Sequence, residues 1–342
     1  MQTVFVGLSG GVDSAVSAYV LKKQGYRVVG AFIQGWEPDF LPCTGVRDRL
    51  EAMRVAAHLN IPFVTYNLEE EYKRDVVDYF VEEYRSGKTP NPDVMCNRAI
   101  KFGAFWDKIK FDGADFLATG HYAQVENNTD SYSLTVSQDT NKDQTYFLWT
   151  LQQSDLAHTL FPIGNLLKDD VRRLALEANL PNAKRPDSQG LCFLGHVDMR
   201  AFLKRYIPSI TGIVRNSEGK EVGTHDGAWF YTIGQRHGFD AQSPERQYVI
   251  AKDVEKNELT IADLQPKDEF KKAYQLERIS AVSGEISDGA YMARYRYRQA
   301  LMPVTYKDGS VLFDTPQHIA EGQSLVLHDL NLKKVIGGGT IQ

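Results

Sequence analysis

The chain of 342 residues contains only three cysteines, at positions 43, 96 and 192, and no two of them form a C-x-x-C pair. An odd and sparse set of this kind excludes a disulfide-stapled scaffold and a four-thiolate zinc site. We therefore expect each cysteine to be buried, reactive or both.

Long apolar runs are also missing, since none approaches the roughly 18 residues that a membrane span needs. The N-terminus lacks the basic stretch and small-residue cleavage site of a secretory signal. Hydrophobic residues make up 42% of the chain and charged residues 24%, as in ordinary soluble globular proteins. We expect a cytoplasmic protein with no membrane partner, divided into two or three domains.

An excess of positive charge is absent as well, because the formal net charge is -5. This excludes a protein that binds nucleic acid through an overall basic coat. Basic residues nevertheless cluster at Arg294, Arg296 and Arg298. A local patch for a polyanion therefore stays open.

The most informative stretch is Ser9-Gly10-Gly11-Val12-Asp13-Ser14, which lies between the apolar run Val4–Val6 and a helical pattern. A strand that turns into a helix through two glycines exposes backbone N–H groups at a positive helix end, where phosphate binds well. The stretch lacks the Gly-Lys-Ser/Thr of a Walker A loop and the Gly-x-Gly-x-x-Gly of a dinucleotide fold. A plain Gly-Gly turn between a strand and a helix is the alternative.

Asp13 would repel a phosphate unless another group absorbs its charge, so Mg²⁺ is a natural partner. Taken with its serines, the loop resembles the PP-loop of the ATP pyrophosphatase superfamily, whose members adenylate an oxygen and release pyrophosphate. The resemblance implies ATP as a substrate.

Strand-like and helix-like segments alternate from residue 1 to about 125, which predicts an α/β fold with a doubly wound parallel sheet. Ligands of such sheets bind beyond the carboxyl ends of the strands. The loop at Ser9, Ile33 and the turn Gly120-His121 should therefore surround one crevice.

Farther along, residues 161–206 show a largely helical pattern, with Lys168 to Asn179 as a clear amphipathic helix and Pro181 to Gly195 as an irregular link. Short alternating runs separated by turn residues follow Ile207 and predict an all-β module, most simply a small barrel. We expect a PP-loop ATP-binding domain over 1–158, a small helical domain over 159–209 and a C-terminal β-barrel over 210–342.

Two cysteines lie in distinctive surroundings. Cys96 follows Asn91-Pro92-Asp93 and precedes Arg98 and Lys101 at the start of a predicted helix, where a thiolate is stabilised. Asp93 could exchange a proton with a bound group. Cys192 has Gly190 and Gly195 on either side, which suits a sulfur that must move; packing as inert apolar side chains is the alternative for both thiols.

Six segments together resemble the tRNA-specific 2-thiouridylase family, and they run in order over almost the whole chain. They are Ser9–Ser14, Asn91–Asn97, Gly120-His121-Tyr122, Asn141–Leu148, Asp187–Phe193 and Tyr295–Gln299. Ile33 stands where the family often has Met. Phe239-Asp240-Ala241-Gln242 replaces the family's glycine-rich loop.

The resemblance implies ATP-dependent conversion of the wobble uridine of tRNA to 2-thiouridine. It also implies that the small helical domain over 159–209 binds tRNA. It places ATP on Gly7, Leu8, Ser9, Gly10, Gly11, Val12, Asp13, Ser14, Ile33 and Gly120. It places the target base on Asn91, Pro92 and Asp93, and other parts of the tRNA on Lys142, Asp143, Gln144, Arg296 and Tyr297.

The implied chemistry begins with adenylation of the uracil C2 oxygen, which turns a poor leaving group into AMP. A persulfide on Cys192, loaded by a sulfur-donor protein, then supplies sulfur. Cys96 attacks that persulfide and a Cys96–Cys192 disulfide remains, with Asp93 as acid or base. We expect the protein to act as a monomer. No residue is predicted to be a metal ligand.

Three alternatives stay open. Cys43, Cys96 and Cys192 could hold an iron–sulfur cluster. A PP-loop ligase would share the Ser9 loop without needing a cysteine pair. An RNA-binding regulator would use ATP only as a conformational ligand.

Overall fold

The computed structural model describes residues 1–40, 45–187, 198–241, 247–263 and 270–342. Seven strands lie in the first half of the chain: β1 (Thr3–Gly7), β2 (Arg27–Gln34), β3 (Phe63–Asn67), β4 (Phe116–Ala118), β5 (Ala123–Asn127), β6 (Tyr132–Val136) and β7 (Thr159–Leu160). Five of them form a parallel sheet in the order β3-β2-β1-β4-β7. The predicted doubly wound parallel sheet is confirmed.

Helices cover both faces of this sheet. They are α1 (Val12–Lys23), α2 (Gly45–His58), α3 (Glu69–Tyr72), α4 (Tyr79–Arg85), α5 (Pro92–Met95), α6 (Phe105–Phe111), α7 (Gln153–Leu156), α8 (Lys168–Glu177) and α9 (Met199–Leu203). Alternate residues of β1 feed different cores: Phe5 packs in one apolar cluster, whereas Val4 and Val6 pack in another. A strand buried on both sides explains the continuous apolar run.

Two helices contain π-helical stretches. The predicted helix from Leu68 to Tyr84 is formed by α3, a π-helical stretch (Lys73–Asp78) and α4. A second π-helical stretch (Cys96–Ala104) joins α5 to α6. π-Helical segments are rare and occur frequently at functional sites.

The helical prediction for residues 161–206 is wrong at 161–167, whereas the amphipathic helix from Lys168 and the irregular backbone from Pro181 are confirmed as far as the structure describes them. The described helices of this segment are α8 and α9, and turns or irregular backbone occupy 161–167 and 178–187. α8 packs against α1 beside the parallel sheet.

After residue 210 the chain is all-β, as predicted, but the described strands form two sheets and not one module. The first contains β8 (Gly212–Asn216), β9 (Glu221–His225), β10 (Asp240–Ala241), β11 (Tyr248–Asp253) and β12 (Glu258–Ala262), in the order β10-β9-β8-β12-β11. β8 and β12 pair in parallel. Alternation in the sequence identifies strands, but it does not reveal their partners.

The second sheet is a closed six-stranded antiparallel barrel. Its strands are β13 (Lys271–Ala281), β14 (Gly289–Arg294), β15 (Met302–Lys307), β16 (Ser310–Gln317), β17 (Ser324–His328) and β18 (Lys334–Ile341). Pairing of β13 with both β16 and β18 closes the barrel. The predicted C-terminal barrel is confirmed.

The hairpin of β5 and β6 links the two halves of the protein. It leaves the parallel sheet and extends the barrel sheet, where Leu134 pairs with Val335. The polar loop, which comprises residues 137–148 after β6, therefore lies between the parallel sheet and the barrel.

Among the described residues, no helix has the length and apolar character required to cross a membrane.

Candidate functional site

The loop between β1 and α1 has a backbone that requires glycine. Gly10 has a φ of +76°, in the left-handed region that glycine favours. A Cβ there would lie 2.7 Å from the carbonyl oxygen of Asp48 and 2.8 Å from Nη1 of Arg185. Close packing and positive φ together exclude larger residues at this position.

The same loop presents the start of a long helix. Ser9 N donates to Oγ of Ser14 at 3.3 Å, and that hydroxyl donates to the carbonyl of Gly11 at 3.1 Å. Within the described residues, no side chain caps this end of α1. A helix N-terminus reached through glycines is suited to bind an anion.

Asp13 in the first turn of α1 is neutralised by the protein itself. Nζ of Lys168 lies 2.7 and 2.9 Å from its two carboxylate oxygens, and the hydroxyl of Tyr122 donates to it at 3.0 Å. Burial and the negative charge of Asp13 raise the pKa of Tyr122 well above its ordinary value. The sequence analysis predicted that a cation would balance the charge of Asp13. In the structure a lysine more than 150 positions later in the chain does so.

Lys168 is a functional candidate that sequence reasoning missed. It was visible only as the first residue of an amphipathic helix, and no local pattern pairs it with Asp13. Its side chain is 12% exposed, and α8 brings it to the loop by packing on α1. Long-range packing, which periodicity does not encode, creates this contact.

Asp187 gathers three further cationic contacts. Its carboxylate lies 2.8 Å from Nζ of both Lys142 and Lys168, and it also pairs with Arg172. Partial burial opposes ionisation, but the hydrogen bonds from both lysines hold the pKa of Asp187 well below its usual range. The network connects the PP-loop with the polar loop after β6.

The turn after β4 packs directly on the PP-loop. A Cβ on Gly120 would lie 2.7 Å from the backbone nitrogen of Ser14. Ile33 lies on the neighbouring strand β2, whose Ala31 carbonyl accepts a hydrogen bond from Leu8 N at 2.7 Å. The structure therefore brings the residues predicted to bind ATP to one edge of the sheet.

His121 in this turn is buried and neutral. Burial, and secondarily the charge of Lys101, hold its pKa well below the ordinary value. Its Nδ1 lies 2.7 Å from Oγ1 of Thr119.

Residues 91–96 form the start of the cysteine-bearing helix. The Asn91 side chain caps α5 by accepting from the backbone nitrogens of Asp93 and Val94, with Pro92 in the first turn. Cys96 is fully buried within the apolar cluster that also contains Ile33. A thiol in that position can react only after a path to it opens.

The cysteine-bearing helix also touches the parallel sheet and the polar loop. The Phe105 ring lies 3.9 Å from the place of a Cβ on Gly7. Nδ2 of buried Asn97 donates to the carbonyl of Phe147 at 3.0 Å, and Nζ of Lys101 donates to Oδ1 of Asn97 at 2.9 Å. Residues next to Cys96 thus fix the far end of the polar loop.

The three residues predicted to contact tRNA in the polar loop have different surroundings. Lys142 is half-buried and pairs with Asp187. Asp143 is 4% exposed and pairs with Arg294 at 2.5 Å. Gln144 exchanges hydrogen bonds with the backbone of Tyr122, accepting at 2.9 Å through Oε1 and donating at 2.8 Å through its own N–H.

Arg296 and Tyr297 lie just after β14, beside the polar loop. Arg296 is exposed, and the half-buried Tyr297 ring packs on Phe147 with centroids 4.8 Å apart. A tyrosine beside exposed arginines offers base stacking and phosphate contacts.

Cys43 and Cys192 lie outside the described residues, so the structure does not test the predicted Cys96–Cys192 pair or a three-cysteine cluster. Among the residues it describes, no group of three or more His, Cys, Asp and Glu side chains could hold a metal ion.

Comparison with known proteins identifies the family. A family model described as the tRNA methyl transferase HUP domain matches residues 2–196, and one described as the tRNA methyl transferase PRC-barrel domain matches residues 200–263. The chain is 42% identical to the tRNA-specific 2-thiouridylase MnmA 2 of Geobacillus kaustophilus (strain HTA426), over 99% of this chain and 94% of the relative. It is 42% identical to the tRNA-specific 2-thiouridylase MnmA of Exiguobacterium sibiricum, over 99% and 93% of the two chains.

A solved 4-thiouridine synthetase–RNA complex with bound ATP is similar at a TM-score of 0.36 and 19% identity, over 60% of this chain and 50% of that chain. The relatives match nearly end to end, and the family models cover both the loop between β1 and α1 and the sheet formed by β8 to β12. The chain therefore belongs to the tRNA-specific 2-thiouridylase family.

Proposed function

We propose that this chain is a tRNA-uridine 2-sulfurtransferase that adenylates the C2 oxygen of the wobble uridine and replaces it with sulfur. The names of the relatives support tRNA uridine thiolation. One observation carries the mechanistic part: residues 120–122 contact both predicted substrate regions. Gly120 packs on Ser14 and Tyr122 binds Asp13, while Gln144 binds the backbone of Tyr122. ATP and tRNA would therefore meet at one turn.

The residues of the PP-loop fit a bound triphosphate. The N-terminus of α1 offers backbone N–H groups, and Lys168 and Arg185 place cations at Asp13 and at the Gly10 carbonyl. Mg²⁺ would come with the nucleotide, since this ion prefers phosphate oxygens plus one or two carboxylates. The partly exposed carboxylate of Asp13 is its candidate ligand. When bound, Mg²⁺ would stabilise the charge of the departing pyrophosphate.

Sulfur transfer would use the two cysteines named above. The terminal sulfur of a persulfide on Cys192 forms a bond to C2, and AMP departs with the former C2 oxygen. The Cys96 thiolate then attacks the Cys192 sulfur and breaks its bond to the sulfur on C2, which keeps the electron pair and leaves as 2-thiouridine. A Cys96–Cys192 disulfide remains, and an external two-electron reductant restores both thiols. Asp93, three residues before Cys96, would accept or return the proton.

The tRNA would lie across the polar loop and the turn after β14. Lys142 and Arg296 supply positive charge there, and Tyr297 supplies a ring. Chemistry at C2 requires the base to leave its stack, so the uridine would turn into the crevice beside Asn91–Asp93. A persulfide-carrying protein would load Cys192. All these roles lie on one chain, which supports a monomer.

The test is incubation of the protein with unmodified tRNA, ATP, Mg²⁺ and a persulfide donor, followed by mass spectrometry of the nucleosides. We expect 2-thiouridine together with pyrophosphate. Cys192→Ser and Cys96→Ser should release pyrophosphate but form no 2-thiouridine. Full product from Cys192→Ser would exclude the persulfide role. Tight tRNA binding with neither product would favour an RNA-binding regulator instead.

A further inference from the structure

Asp143 is saturated by contacts within the protein. Oδ1 accepts from the backbone nitrogen of Ser137 at 3.2 Å, and Oδ2 accepts from Nη2 of Arg294 at 2.5 Å. The hydroxyl of Thr145 lies 3.0 and 2.8 Å from the two oxygens. With 4% of the residue exposed, the carboxylate has no face left for an RNA group.

Arg294 belongs to the barrel and is equally enclosed. It is the last residue of β14, its side chain is 8% exposed, and Nη2 also lies 2.9 Å from Oγ1 of Thr145. It precedes Arg296 by only two residues. The pair therefore joins the neighbour of Lys142 to a residue two positions before Arg296.

Further contacts surround this pair. The Tyr146 hydroxyl donates to the carbonyl of Tyr295 at 3.0 Å. Nε of Arg298 donates to the carbonyl of Asn141 at 3.1 Å. Together with the ring contact between Tyr297 and Phe147, they tie residues 141–147 to residues 295–298 along their length.

A buried ion pair holds two segments together only while both partners are in place. The Asp143–Arg294 pair is such a joint between the polar loop and the barrel. Removing one partner leaves an uncompensated charge in an apolar setting, so a half-broken pair is strongly disfavoured. The segments it connects are then held either in one arrangement or not at all. A joint of this kind suits a surface assembled from parts about 150 residues apart in sequence.

We infer that Asp143 is a positioning residue. It anchors the polar loop to Arg294, so that Lys142 and the Arg296–Tyr297 turn form one tRNA-binding surface, and it does not itself touch the RNA. This inference rests on the proposed function, and it gives Asp143 an indirect role in place of the direct tRNA contact that the family resemblance implies.

The test compares Asp143→Asn, Arg294→Met and the double variant. Both substitutions keep the approximate volume and remove the charge. Steady-state kinetics with tRNA as the varied substrate separate KM from kcat, and hydrogen exchange of the amides of residues 141–148 is followed in the free protein. Val304→Ala serves as the control, because Val304 lies in the barrel's own core and its loss destabilises without touching the joint.

We expect each single variant to raise KM for tRNA about tenfold, with kcat at saturating tRNA nearly unchanged, since binding is weakened before chemistry. Exchange of the 141–148 amides should accelerate even without tRNA. The double variant should bind tRNA no worse than either single variant, because the two changes break the same interaction and together restore neutrality.

Multiplying effects in the double variant, with normal hydrogen exchange in Asp143→Asn, would show a direct RNA contact and overturn the inference. An equal rise in KM for Val304→Ala would also overturn the inference, because general destabilisation would then explain the effect of the Asp143 and Arg294 variants. A wild-type protein that makes no 2-thiouridine would refute the proposed function instead. The exchange measurement on the free protein would still decide whether the joint exists.

Discussion

Gly10→Ala should separate the phosphate-binding role of the PP-loop from its role as a turn. A Cβ at this position meets the Asp48 carbonyl at 2.7 Å and Nη1 of Arg185 at 2.8 Å. Neither the backbone oxygen nor the paired guanidinium can yield freely. The loop must deform, and its N–H groups then no longer face the phosphates.

The size of the effect follows from two contributions. Alanine at positive φ costs about 1 kcal/mol, and overpacking costs about 1–3 kcal/mol. In the free protein the loop can deform and so avoid the overpacking. ATP binding requires the original loop conformation, so the overpacking cost then reduces the free energy of ATP binding. ATP affinity should therefore fall about 5- to 150-fold.

Gly25→Ala is the matched control at the other end of the same helix. Gly25 also has a positive φ, +90°, but a Cβ there would meet nothing within 4 Å. Both variants share the backbone penalty, so thermal unfolding should show similar losses from that source. ATP affinity can be measured by calorimetry, or as the KM for ATP in tRNA-dependent pyrophosphate release. Relative to the wild type, it should fall only in Gly10→Ala. Equal ATP affinity in the two variants would refute the assigned phosphate cradle.

Three more predictions concern the charges around the site and one buried histidine. Lys168→Met removes the cation shared by Asp13 and Asp187, so ATP should bind about tenfold more weakly in the same titration. Tyr122→Phe removes only the hydroxyl that donates to Asp13; a smaller increase in KM for ATP with unchanged thermal stability is expected. Burial, and then the charge of Arg294, lower the pKa of His328 to about 4. Because the unfolded chain takes up this proton near pH 6.5, stability should decline as pH falls from about 6.5 to about 4, by up to about 3 kcal/mol. His328→Leu should flatten that decline in urea titrations, and an unchanged pH slope would contradict this origin.

Local patterns predicted the parts of the fold that depend on neighbouring residues. The apolar run before two glycines gave β1, the PP-loop and α1, and helical periodicity gave α8 within two residues of its observed end. The pairing of the β5–β6 hairpin with the barrel could not be predicted, because nothing local shows that its partner strand β18 lies more than 100 residues later. Division of the C-terminal strands into two sheets depends on partner choice in the same way.

The site shows the same limit. Motifs placed Gly120 and the PP-loop at one edge, and the packing of Gly120 on Ser14 shows why the turn needs a glycine. The ion pairs of Asp187 with Lys168 and of Asp143 with Arg294 arise only from tertiary packing. Charged residues without a local pattern look like solvated surface in a sequence, even where the fold buries them.

If the enzyme adenylates the C2 oxygen of the target uridine, that oxygen must leave with AMP, and isotope transfer can detect it. Unmodified tRNA carrying ¹⁸O at the C2 position of its uridines would be incubated with the protein, ATP, Mg²⁺ and a persulfide donor, and the AMP analysed by mass spectrometry. We expect one ¹⁸O atom in AMP for each 2-thiouridine formed. Unlabelled AMP accompanying 2-thiouridine would contradict it, because the C2 oxygen would then have left by another route.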